Sequence, residues 1–493
     1  MSGCTPSRCA APHCGVPTHL RLFLSLLALV VGAPRAARAQ STILPPADAS
    51  VSSPATSAAR VGSADSLVVT LVDVRRLVLS QNAAFLAARE ETAIARGGLR
   101  QARLFRFNPD LQAQLPGMLV GRSDEPGTIT LTQEVEIAGQ RGVRLDAARF
   151  GVERASAGVT NAARLTVADA SVAFFQALAA ERRLTVTQSV LALNERLVLA
   201  VRTQLREGEI SLLDANLAEI EVGRARGRVL AAQREATAAR LELARQLGLT
   251  PTTALRLEDR SGDELPLIAD TADARGVVDA TRLPSVREDS LLALALARRA
   301  DLVERTAAIR EADASTDAAR RERIPNLRLG IFAERRPETG AGSEARFPRV
   351  GPALGITLPF LNRNQGVVAQ RRALATQARF AREATALQVR TDVATAVRAY
   401  ETATAELAVF TATVLDPARR NSTLLDTAFQ AGKIPLPTLL LLRNQLLDAE
   451  LGYWDAWLAQ HAARVQLDAA TGALQPPPPD ASASPSPSAG SRR

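Results

Sequence analysis

The sequence predicts a mainly α-helical chain with a small membrane-spanning β part. Three observations predict it: a duplication that spans most of the 493 residues, a proline-free stretch of helical spacing from about 140 to 206, and four short segments in which apolar and polar side chains alternate. Leu86 and Pro109 recur 216 residues on as Leu302 and Pro325, and Gly142, Gly208, Ile210 and Gly248 recur 224 residues on as Gly366, Gly432, Ile434 and Gly472. A duplicated unit is interpreted as a unit before its single motifs. The offset changes between the two alternating segments of each copy, about 112–127 against 328–351, where an exposed loop tolerates insertion.

From the N-terminus, Arg21, the apolar run Leu22 to Val31 and Ala37-Arg38-Ala39 read as a secretory signal peptide over residues 1–39. Ten apolar residues are too few to cross a bilayer. The mature chain then begins at Gln40 without cysteine and with His461 as its one histidine, so no soft-ligand metal site and no cofactor are expected. The formal charge of +9 falls to +5 with the leader's four arginines. Basic and acidic residues are interspersed and aromatics make up 3%, which argues against nucleic-acid binding. Residues 40–66 and 475–493 are rich in Ser, Pro and Ala and are expected to be disordered. Between them, 67–249 forms a first repeat (helix, two strands, long helical hairpin), 250–285 a linker and 286–474 a second repeat. The stretch from 140 to 206 as one helix would be about 100 Å long, a length that implies coiled-coil packing against antiparallel neighbours.

The alternating segments have clean faces. Leu111, Ala113 and Leu115 oppose Asp110, Gln112 and Gln114; Ile129, Leu131, Val135 and Ile137 oppose Thr128, Thr130, Thr132, Glu134 and Glu136. In the second repeat Leu327, Leu329, Ile331 and Ala333 oppose Asn326, Arg328 and Glu334, and Leu354, Ile356, Leu358 and Phe360 oppose Ala353, Gly355 and Thr357. A half-buried soluble sheet alternates in the same way. Segment lengths near the ~10 residues of a tilted membrane strand, export, and a leader that is the one apolar helix able to anchor the chain favour lipid. A membrane barrel would turn Leu111, Leu115, Ile129, Leu131, Leu329, Ile356 and Leu358 to lipid, and Asp110, Gln112, Gln114, Thr130, Thr132, Glu134, Glu136, Arg328 and Thr357 to the lumen. Four strands cannot close a barrel, and open edges are not tolerated in lipid. Several copies must share one, and three would supply twelve strands.

Gly208 and Gly432 each permit the left-handed turn that ends a long helix. Ser211 with Asp214 forms a capping-box pattern after the first, and Pro435 and Pro437 suit a first helical turn after the second. The pattern Gln204-Leu205-Arg206-Glu207-Gly208-Glu209-Ile210-Ser211-Leu212-Leu213-Asp214, answered by Ala428-Phe429-Gln430-Ala431-Gly432-Lys433-Ile434-Pro435, resembles the TolC family of outer-membrane efflux channels over nearly all of 67–474. The resemblance implies a TolC-like α/β barrel in a homotrimer, embedded in outer-membrane lipid with its helices in the periplasm. It also implies a periplasmic adaptor docked at hairpin tips made by Leu205, Gly208, Glu209, Ile210, Asp214, Phe429, Gly432, Lys433, Ile434 and Thr438. Acidic rings narrow the mouth in that family. Asp214 stands at one such position, whereas Thr438 and Leu441 stand where further acids would be expected, so Asp214 is either a ring or a helix cap.

Within the family, Gln133-Glu134-Val135-Glu136-Ile137-Ala138-Gly139-Gln140-Arg141 and Leu358-Pro359-Phe360-Leu361-Asn362-Arg363-Asn364-Gln365-Gly366 look most like the CzcC-type branch, which implies heavy-metal cations as substrate and an inner-membrane proton-driven transporter as partner. Drug or organic-compound efflux, type I secretion, and a periplasmic coiled-coil scaffold are the alternatives. Gly139, Arg141, Arg144 and Arg363 are expected to shape the strand-to-helix turns; Phe105, Phe107 and Phe360 sit near strand ends, where aromatic girdles form. Tyr453, Trp454 and Trp457 read as core. No nucleophile elbow accompanies His461 and long helices offer no concave pocket, so no enzyme is expected.

Overall fold

A computed structural model describes residues 67–114, 127–258, 285–335 and 349–474. The leader, the two low-complexity tails, most of the linker and Leu115 lie outside them. The first repeat runs β1 (Leu67–Val69), α1 (Leu71–Gln81), α2 (Ala83–Arg103), β2 (Asp110–Gln114), β3 (Gly127–Val135), α3 (Gln140–Glu207) and α4 (Leu212–Leu247). After β4 (Leu255–Leu257) the order returns as α5 (Ser285–Arg298), α6 (Ala300–Arg321), β5 (Leu327–Arg335), β6 (Arg349–Ile356), α7 (Gln365–Val409), a π-helical turn (Phe410–Leu415), α8 (Asp416–Gln430) and α9 (Leu436–Thr471).

The boundaries have local causes. At Thr70 the hydroxyl accepts from the Asp73 amide while the Thr70 amide donates to the Asp73 carboxylate, a capping box that starts α1. The one helix expected ahead of the strands is divided in two at Asn82, which is extended and whose side-chain oxygen accepts from the Phe85 amide 3.0 Å away. α3 runs 68 residues without a break, between left-handed Gly139 and Gly208. Its counterpart in the second repeat is interrupted, because Pro417 has no N–H for the Thr413 carbonyl and the ladder widens into the π turn just ahead of it. There Phe410 lies over Gly452 of α9, where an added Cβ would come within 2.8 Å of the ring.

α3 packs along α4, α6 and α2, and α7 along α6 and α9. One apolar core joins Val74 and Val78 of α1, Phe174 and Phe175 of α3, Leu243 and Leu247 of α4, and Trp457 and Val465 of α9. A second, at the equivalent place in the other repeat, joins Ala295, Leu302, Val389, Val393 and Ala470. Matching cap hydrogen bonds (Asn82 N–H to Val78 O, Arg299 N–H to Ala295 O) set the repeats 217 residues apart here. Leu302 therefore takes the buried place of Phe85 rather than that of Leu86. α3 also carries a stretch apolar and long enough to cross a membrane by length and composition. The leader is thus not alone in that respect, and only 28% of the α3 stretch is buried within the single chain.

Between the repeats sits a buried ionic group. The Arg299 guanidinium, 4% exposed, donates to Asp301 at 2.6 Å and to Asp392 at 2.8 Å. Arg164, equally buried, donates to the Ala469 carbonyl at 2.8 Å. Arg299 also reaches the Ala470 carbonyl, so both cations face the C-terminal end of α9, where carbonyls lack intrahelical partners. Burial alone would push the Asp301 carboxyl up, but its hydrogen bonds and ion pair with Arg299 hold it below the usual range.

Just before Ala469 in the same helix, burial pushes the Asp468 carboxyl up to about 6, against the pull of Arg464 and Arg75. An unfolded aspartate titrates near 3.9, so the folded chain holds this proton to higher pH and loses stability as pH rises between about 4 and 6. Asp468→Asn is expected to erase that component. Denaturation of variant and wild type across this range should show the variant gaining by up to about 3 kcal/mol toward neutral pH.

The strands form one antiparallel sheet in the order β2-β3-β5-β6. Its register puts Leu111 against Leu131, Leu131 against Ile331, and Leu329 against Leu354 on one face, with Gln112 against Thr130 and Glu134 against Arg328 on the other. Gly330 sits opposite Thr132, and an added Cβ would lie 2.7 Å from the Leu131 carbonyl oxygen. Gly330→Ala should weaken the β3–β5 ladder by more than the ~1 kcal/mol of ordinary strand propensity, read as a lower unfolding temperature. β1 and β4 pair in parallel. At three residues each they are too short to register as a period, and β4 falls in the stretch expected to be linker.

Candidate functional site

The hairpin tips close with the same backbone geometry. At Gly208 (φ 76°) the Glu209 amide donates to the Gln204 carbonyl at 2.9 Å, and at Gly432 (φ 66°) the Lys433 amide donates to the Ala428 carbonyl at 2.9 Å. The Ser211 hydroxyl accepts from the Asp214 amide at 3.1 Å and donates to the Asp214 carboxylate at 2.7 Å, so Ser211 caps α4 and Asp214 fixes its hydroxyl. Pro435 and Pro437 start α9 without a side-chain cap, with Thr438 half-buried in its first turn.

Leu205, Ile210, Phe429 and Ile434 are not free knobs. All four pack against a cluster of Val201, Ala218, Leu436 and Leu439 that joins the hairpins of the two repeats. The apolar side chains exposed beside the turns are Leu212 (65%), Leu213 (72%) and Leu441 (59%). The signal that could have found the first two is their place directly after the Ser211 cap, in a turn with no preceding helix to cover it.

In the sheet, Asp110, Gln112, Gln114, Thr130, Thr132, Glu134 and Arg328 share one face, and Leu111, Ile129, Leu131, Leu329 and Ile356 share the other. Leu111 and Leu354 are 67% and 75% exposed in the single chain. Among the polar residues, Glu134 pairs with Arg328 at 3.5 Å and accepts from Asn326 at 2.7 Å. Phe332 also stands on this face, opposite Gly351, where an added Cβ would come within 2.9 Å of the ring. β3 ends at Val135 and β6 at Ile356, so Glu136, Thr357 and Leu358 lie beyond the strands. Glu136 instead holds Arg144 through two hydrogen bonds of 2.5 and 3.1 Å.

The four junctions between strand and helix are tied into one collar. Arg321 donates to the Ala138 carbonyl, Arg323 to the Arg363 carbonyl, and Arg141 to the Arg103 carbonyl while lying 5.2 Å from the centre of the Phe105 ring. The two helix starts share a motif: Gly139 and Asn364 adopt left-handed turns, and Gln140 and Gln365 each accept, at 2.8 Å, from the amide two residues upstream. Glycine and asparagine are the residues that enter this conformation most readily. Elsewhere, Tyr453, Trp454 and Trp457 stack with His461 and Phe175 near the first core. Among the described residues no three His, Cys, Asp or Glu side chains converge at metal-holding range.

The family model described as "Outer membrane efflux protein" matches residues 121–249 and 291–473. The cobalt-zinc-cadmium resistance protein CzcC of Cupriavidus metallidurans is 26% identical over 385 residues, 78% of this chain and 85% of CzcC. The fold is that of solved outer-membrane channels. CmeC of Campylobacter jejuni superposes with a TM-score of 0.66 at 13% identity, covering 83% of this chain and 87% of CmeC. The open state of MtrE from Neisseria gonorrhoeae gives 0.62 at 21% identity over 82% and 88%. A duplicated pair of long helical hairpins, a sheet with one polar and one apolar face, and a family match over both repeats lead to one conclusion: the chain belongs to the outer membrane efflux protein family, the TolC-like channels, and is an outer-membrane efflux channel protein with its helical part in the periplasm.

Proposed function

We propose that the chain works as a homotrimer in which three four-stranded sheets close a twelve-stranded barrel, and that the channel passes heavy-metal cations out of the cell. The observation that carries the assembly is the sheet itself. Its edges, β2 and β6, have no neighbour among the described residues, its apolar face is open, and lipid tolerates neither an unpaired edge nor a lone open sheet. Pairing β6 of one copy with β2 of the next removes every edge, turns Leu111, Ile129, Leu131, Leu329 and Ile356 to lipid and encloses the polar face. The hairpin tips then dock a periplasmic adaptor, with Leu212 and Leu213 as its apolar contacts, and an inner-membrane proton-driven transporter supplies the energy. The similarity to CzcC supports divalent metal cations as cargo. Deleting the gene should sensitise cells to cobalt, zinc and cadmium and leave tolerance of dyes and detergents unchanged. The reverse pattern would assign the channel to organic compounds.

A further inference from the structure

The collar carries a chemistry that neither conduction nor adaptor docking uses. Arg103 and Arg363 are exposed, and their side chains have no partner among the described residues. Arg141, exposed beside them, spends one hydrogen bond on the Arg103 carbonyl and leaves its remaining N–H groups free to reach outward. Interleaved with these cations are Phe105 (64% exposed), Phe360 (73%) and Leu361 (93%). All lie where the helices enter the sheet, within a few residues of β2, β3 and β6, at one end of its apolar face. Three apolar side chains so exposed are costly in water, and three arginines beside them are costly in hydrocarbon. A bilayer interface satisfies both, with rings and leucine at the acyl boundary and guanidinium forks on phosphate oxygens.

We infer that this collar binds the phosphate groups of anionic phospholipids in the leaflet facing the periplasm, with Arg103, Arg141 and Arg363 as the headgroup ligands. The inference rests on the membrane-barrel reading above and adds a lipid preference to it. The sites lie at junctions held by backbone-directed hydrogen bonds, so the cations arrive at a fixed depth and spacing.

The test uses the mature full-length chain in nanodiscs of phosphatidylcholine with or without phosphatidylglycerol, and native mass spectrometry counts the lipid retained. Wild type should retain phosphatidylglycerol preferentially. Arg103→Gln with Arg363→Gln, which disturbs no contact within the chain, should lower that retention by about fivefold per arginine, and adding Arg141→Gln should lower it further. Equal retention of the two lipids, or a double variant that retains as much as wild type, would overturn the inference while the channel reading stands. Displacement by inorganic phosphate would assign the site to free anions and also overturn it. A chain that enters neither nanodisc would overturn both readings.

Discussion

Gly248→Ala is expected to prevent the chain from folding, whereas Gly208→Ala, with nearly the same backbone conformation, should be tolerated. Both glycines are left-handed, at φ 72° and 76°, and end long helices. A side chain there costs about 1–2 kcal/mol in backbone strain. At Gly208 that is the whole cost, because no atom lies within 4 Å of an added Cβ. At Gly248 the Cβ would sit 2.4 Å from the Gln81 carbonyl oxygen and 2.8 Å from its carbon. Backbone cannot swing aside as a side chain does. Relief requires lifting the end of α4 off the α1–α2 elbow, which breaks the 2.7 Å hydrogen bond from Asn82 to the Gln246 carbonyl and opens the core at Leu243 and Leu247. The loss should exceed about 4 kcal/mol. Yield in the outer-membrane fraction and unfolding temperature in detergent check the pair; similar losses for the two variants would contradict this account.

The second large effect is at Arg299. Arg299→Met leaves Asp392 without its ion-pair partner and Asp301 with only Arg164, 3.9 Å away, and breaking one partner out of a buried ionic group typically costs 3–5 kcal/mol. The same group can often be replaced whole at little cost. Arg299→Met combined with Asp301→Asn and Asp392→Asn should therefore recover much of the loss. Denaturation midpoints of the two variants make the comparison. Equal destabilisation of both would show that the α9 carbonyl contacts, rather than the carboxylates deprived of Arg299, set the cost.

The long elements were legible because their causes are local. Glycine at Gly139, Gly208 and Gly248 marks left-handed caps, period-two alternation marks the sheet faces, and Ser211 marks the N-cap of α4, although its amide does not complete the capping box with Asp214. What was not legible depends on partners distant in sequence. Leu205 and Phe429 look like exposed knobs beside a turn, but they are covered once the two repeats bring their hairpins together, a contact between residues more than 200 apart. The buried role of Arg164 and Arg299 was missed for the same reason, since arginine in an Arg-rich helical pattern reads as a solvated face. Glu136 and Thr357 continue the alternation in sequence after the ladder has ended, so periodicity overran each strand. The π turn ahead of Pro417 could have been found, because a proline inside a helical pattern removes a backbone donor wherever the chain folds. Within one chain the Asp214 carboxylate accepts from the hydroxyl of the Ser211 cap, a contact compatible with either role at the mouth.

The most direct test of the channel is imaging of the mature protein after detergent extraction from isolated outer membranes. Three copies are expected around a three-fold axis, with a closed barrel of twelve strands that turns Leu111 and Leu329 outward and Glu134 and Arg328 inward, and helices extending about 100 Å from it. A single copy with its sheet edges open, or a soluble particle without a barrel, would contradict it.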